Sequence, residues 1–112
     1  MTCEEFEKSV RKALRSLPKR FKDKLQNVDF VIEESSRRKH LLGLYEGVPL
    51  NERTQGYGMV LPDKITLFKR NIEAESEASG TSLVDEIRHT VEHEIAHHFG
   101  MTDEELENRK IY

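Results

Sequence analysis

Between Ser82 and Gly100 apolar residues return every three or four positions, and this stretch constrains the fold more than any other. At about 100° per residue, Val84, Ile87, Val91 and Ile95 fall on one stripe of a helix. Ser82 and Asp85 have N-cap spacing, and Asp85 and Glu86 sit where the helix dipole favours acids. Gly100 can take the positive φ that closes a helix. An apolar stripe of this kind has to be covered, so a sheet is expected against it. Glu86, Thr90, His93 and His97 fall on a different side, and Glu94 lies between the two.

Upstream, Thr2 and Glu5 have the spacing of a capping box, and Phe6, Val10, Leu14 and Leu17 recur at helical intervals. A helix is predicted over 3–16, with Lys and Arg towards its end. Pro18 suits the first turn of a second, short helix over 18–26, with Phe21 and Leu25 as its buried pair.

The middle of the chain changes period. Asp29–Ile32 reads as a strand, Ser35–Lys39 as a polar, basic turn, and Leu41–Tyr45 as a second strand ended by Gly47-Val48-Pro49. Gly56–Val60, continued by Leu61, is either a strand or a structured loop, and Pro62-Asp63 supplies a turn. Lys64–Lys69 is the clearest strand, with Thr66 and Phe68 on one face and Ile65 and Leu67 on the other. As the last strand before the final helix, 64–69 is the expected sheet edge, either a place where an extended peptide could pair or a purely structural edge. Residues 71–81, acidic and small, read as an exposed linker.

Size and charge bound the function. The 112 residues, 36% apolar, with nine Gly and Pro together, predict one domain over 1–112. Cys3 is the single cysteine, so no internal disulfide or thiolate metal cluster can form, and a cytoplasmic protein is expected. No run approaches a membrane helix, and the start does not read as a signal peptide. Residues 1–40 carry 11 Lys and Arg against 7 Asp and Glu, whereas residues 71–112 carry 3 against 11. The basic residues are interleaved with acids and few aromatics accompany them. They read as solvated surface rather than a nucleic-acid footprint.

The chemistry concentrates in His93-Glu94-Ile95-Ala96-His97. Side chains four apart stack on one helix face, so the two imidazoles can reach one point. A zinc ion takes such donors at about 2.0–2.2 Å. Glu94, beside the first imidazole, can act on a water molecule there without occupying a ligand position, as a general base. Gly100 lets the chain turn back, which makes Asp103 the first choice for a third ligand, Glu104 the second and Glu107 the third. A remaining open position would suit catalysis.

Other residues are read more plainly. His89 is expected to be exposed, His98 to be a hydrogen-bonded packing residue, and Phe99 and Met101 to pack the helix end. Glu92 is expected in solvent. Tyr45 and Tyr57 are read as core or rim packing, with a cleft or oxyanion role as the alternative. Cys3 reads as an ordinary near-terminal residue, and His40 cannot be placed.

His93–Asp103, in the pattern H-E-x-x-H-x-x-G-x-x-D, resembles the small single-domain zincin-like metallopeptidases of bacteria. Leu41–Leu50, Leu61–Phe68 and the run His93–Gly100 carry the likeness, which covers most of residues 28–107. The resemblance implies an α+β, minimal zincin-like fold, with N-terminal helices and a small mixed sheet packed against the active-site helix. It implies His93, His97 and Asp103 as zinc ligands and Glu94 as general base. Aspartate stands where the wider metzincin group has histidine, and nothing after Asp103 resembles that group's methionine-containing turn. Zinc is favoured by the resemblance, since the ligand types alone tolerate other transition metals.

The expected function is zinc-dependent hydrolysis of peptide bonds in a peptide or protein substrate. Two alternatives stand beside it. One is a metal-dependent ribonuclease, motivated by the basic N-terminal part. The other is a non-catalytic metal-binding module, with His89 or Glu104 closing the ligand sphere. The sequence leaves oligomeric state open.

Overall fold

The computed structural model describes residues 1–25, 27–48 and 63–100. Along the chain run helix α1 (Cys3–Arg15), helix α2 (Lys19–Lys22), strands β1 (Val28–Glu33), β2 (Gly43–Glu46) and β3 (Asp63–Phe68), and helices α3 (Lys69–Ser79) and α4 (Leu83–His98). The fold is α+β, with a small mixed sheet packed against helices.

α1 starts as the capping box predicts. The Glu5 amide donates to Thr2 Oγ1 at 3.1 Å, and the Thr2 amide donates to Glu5 Oε1 at 3.5 Å. Phe6, Val10 and Ala13 form its buried face, with Leu14 and Leu17 packed at the margin. α2 is shorter than the expected 18–26, with Pro18 as its N-cap. Phe21 and Leu25 are only half-buried, although Phe21 meets the Phe99 ring at a centroid distance of 5.5 Å.

The sheet has the order β1-β3-β2. β1 runs parallel to β3 and β2 antiparallel to it, with Phe30 opposite Ile65 and Gly43 opposite Leu67. β3 is therefore the central strand, not the edge that its place in the sequence suggests. Its burial carries the physical reason. Ile65 and Leu67 are fully buried on one face, while Thr66 and Phe68 are buried on the other. Strands covered on both faces belong inside a sheet. Asp63, expected in a turn, is the buried first residue of this strand.

The segment 71–81 is also corrected. It is the body of α3, ended by Gly80 at φ 76° in the left-handed region. Glu and Ala are strong helix formers, and tertiary contacts complete the element. Ile72 is fully buried, and buried Asn71 ties down the preceding loop. The Asn71 Nδ2 group donates to the Arg38 and Leu41 carbonyls at 3.0 and 2.8 Å, and Oδ1 accepts from the Ser36 amide at 3.3 Å.

α4 packs against α1, α3, β2 and β3. Ile87, Val91 and Ile95 enter the core with Phe6, Val10, Ile65, Leu67 and Ile72. Val84, assigned to this stripe from its spacing, is instead 52% exposed. Leu83 takes the first-turn contact. The apolar line thus runs strictly every fourth residue. The helix opens with the Asp85 amide donating to Ser82 Oγ at 3.2 Å, and Gly100 follows it at φ 90°.

Candidate metal centre

α4 positions the candidate donors. With one side of the helix committed to the core, His93 and His97 are carried to a half-buried face one turn apart. Their Nε2 atoms lie 3.1 Å apart, with the rings edge to face at an interplanar angle of 82°. Nitrogens this close either share one proton or both face a cation. Two nitrogens about 2.0–2.1 Å from one zinc ion, at a tetrahedral angle, stand about 3.3 Å apart. The observed spacing fits a shared ion.

Glu94 completes the group. Its Oε1 lies 3.9 Å from His93 Nε2, and its side chain is only 6% exposed. The donor atoms of His93, Glu94 and His97 all lie within 4.8 Å of one another. Among the described residues, no other set of three potential ligands converges in this way. The two imidazoles are donors that suit zinc, and the carboxylate stands beside them.

β2 shapes the wall beside Glu94. A Cβ placed on Gly43 would stand 2.9 Å from Glu94 Cγ, 3.1 Å from Thr90 Cγ2 and 3.2 Å from the Thr66 carbonyl oxygen. Glycine is required here by close approach of strand to helix. Glu86 and Thr90, on the same side of α4, are buried as well, and Thr90 Oγ1 donates to the Glu86 carbonyl at 2.9 Å. Burial raises the Glu86 carboxyl above the usual 4.5, the Glu75 charge adds to the rise, and His89 opposes it.

The remaining expectations divide. His89 and His40 are exposed, and Cys3 is exposed at the start of α1. Glu92 is half-buried rather than fully in solvent. His98 packs and hydrogen-bonds as expected, 1% exposed and 2.9 Å from Asp63 Oδ2. Tyr45 is half-buried and donates to the same Asp63 oxygen at 2.9 Å. Asp103, Glu104, Glu107, Met101, Tyr57 and the Gly56–Leu61 run lie outside the described residues. Sequence reading missed Gly43 and Asp63. The only local sign of either was a glycine inside an otherwise apolar strand, which can mark close backbone approach.

Residues 22–111 match the zincin-like metallopeptidase family. The chain belongs to that family. The match spans every candidate ligand and begins at the end of α2, leaving α1 before it. No curated protein matches the chain. Membership agrees with the convergence on α4, since a zincin-like centre is built around two histidines one helical turn apart with a glutamate after the first. No helix among the described residues is long and apolar enough to cross a membrane.

Proposed function

We propose that the chain is a zinc metallopeptidase, with residues 1–112 acting as one domain. His93 and His97 hold the ion, Asp103 is the third ligand, and Glu94 is the general base. The observation that carries this is the 3.1 Å approach of the two Nε2 atoms, with the Glu94 carboxylate beside them, in a zincin-like metallopeptidase chain. When bound, zinc supplies Lewis acidity, polarising a carbonyl and making water acidic enough to attack it near neutral pH.

The chain's own residues account for the rest. Glu94 stands beside the two imidazoles and is shielded from bulk solvent, so its carboxylate can take the proton of an attacking water. The same carboxyl can return that proton to the departing amine as the peptide bond breaks.

Residues 64–69, the expected docking edge, lie in the central strand β3, which pairs with β1 on one side and β2 on the other, so they offer no edge to an extended peptide.

The deciding experiment combines zinc analysis of the purified protein with hydrolysis of a mixed peptide library. One bound zinc per chain and zinc-dependent cleavage are expected. A protein that holds no zinc when supplied with it would end this reading.

A further inference from the structure

Three polar side chains from three elements meet beneath the last turn of α4. The side chains of His98 and Asp63 are 1% and 2% exposed, with Nδ1 and Oδ2 2.9 Å apart. His98 Nε2 faces the Lys24 carbonyl oxygen at 3.2 Å, and since a carbonyl only accepts, Nε2 is the donor. The Tyr45 hydroxyl donates to Asp63 Oδ2 at 2.9 Å, and its ring stands edge-on to His98 with centroids 5.7 Å apart. Gly47 makes room for the carboxylate, because a Cβ there would stand 2.5 Å from Asp63 Oδ1.

Burying a carboxylate and an imidazole in a small core is costly, and apolar residues of similar volume commonly hold a fold as well. What directional bonds add is one defined arrangement. Here that arrangement joins the end of α4, the start of β3, strand β2 and the connection after α2. The joined point is adjacent to the candidate centre. His98 follows His97 directly, the chain turns at Gly100, and β2 carries both Tyr45 and Gly43, the neighbour of Glu94.

We propose that Tyr45, Asp63 and His98 are positioning residues for the metal centre. They lock the last turn of α4 to β2 and β3, so that His97 is held towards the ion in a fixed place. This rests on the metal-centre reading above, and its test separates the two.

The metal-free wild type and the variants Tyr45→Phe, His98→Asn and His98→Gln are titrated with Co²⁺. Visible absorption reports how the ion is held, and thermal unfolding of each metal-free protein is followed in parallel. Asn keeps an N–H where Nδ1 faces Asp63, whereas Gln keeps one where Nε2 faces Lys24. Tyr45→Phe and His98→Gln are expected to bind Co²⁺ about 10-fold more weakly with an altered absorption band. His98→Asn is expected to recover part of the loss. Unchanged affinity and band in Tyr45→Phe and in the folded His98 variants, whatever their thermal midpoints, would overturn the inference alone. Should both His98 variants fail to fold, Tyr45→Phe, which loses one hydroxyl, decides by itself. A wild type that binds no Co²⁺ would overturn the metal-centre reading together with the inference.

Discussion

Gly43 of β2 lies so close to Glu94 of α4 that a Cβ on the glycine would come within 2.9 Å of Glu94 Cγ. The Thr66 carbonyl oxygen, 3.2 Å from the same point, is backbone and cannot swing aside. In Gly43→Ala the added methyl should push Glu94 or separate strand from helix. Overpacking of this kind costs about 1–3 kcal/mol. Urea unfolding should show that loss, and zinc analysis should show the ion retained. Peptide turnover per bound zinc should fall. Full turnover would mean that the Glu94 position is not critical.

Glu94→Gln separates binding from catalysis. The amide keeps the shape of the carboxyl but cannot take a proton. Zinc content should stay near one per chain, while turnover drops by about 10²–10⁴-fold, the usual contribution of a general base. Loss of zinc in this variant would instead make Glu94 a ligand.

Metal removal should be visible in stability. A ligand that binds only the folded chain stabilises it, by about 2.7 kcal/mol at a free concentration 100 times its dissociation constant. Chelation should therefore lower the thermal midpoint, and added zinc should restore it. His97→Ala should abolish that response, because one of the two nitrogens 3.1 Å apart is gone.

Asn71 tests the helix that replaces the expected linker. Its amide serves the Arg38 and Leu41 carbonyls and the Ser36 amide. Asn71→Ala strands these groups, at a cost of about 1–3 kcal/mol for each that stays buried. Denaturation should report the destabilisation, and hydrogen exchange should rise first over residues 35–41. Unchanged protection there would show that the loop holds itself.

Glu86 gives a pH signature. Its carboxyl is raised above 4.5 chiefly by burial, with Glu75 adding to the effect. The folded chain thus holds this proton more tightly than the unfolded chain. Stability from Glu86 is complete below the usual value and is lost as pH rises through the raised one. Glu86→Gln should remove that loss, so urea midpoints should shift in the variant's favour as pH climbs towards neutral. A pH-independent difference would contradict it.

Local pattern made much of this protein legible. The capping box at Thr2 and Glu5, the N-cap at Ser82, the positive φ at Gly100 and the stacking of His93 on His97 each depend on a few neighbouring residues. Those residues carry the same geometry into any fold that keeps the helix. The Val84 error shows the limit, because periodicity names a face without saying where its cover ends.

The sequence by itself determined the helices at either end, the β-rich middle and the pairing of two imidazoles around one point. Only tertiary structure decided that β3 lies between β1 and β2, that 71–81 is helical, and that Gly43 meets Glu94. It also decided that Tyr45 reaches His98, 53 positions away. Strand order and such contacts come from burying both faces of β3 and from satisfying buried polar groups between distant segments. No local period or propensity encodes those requirements.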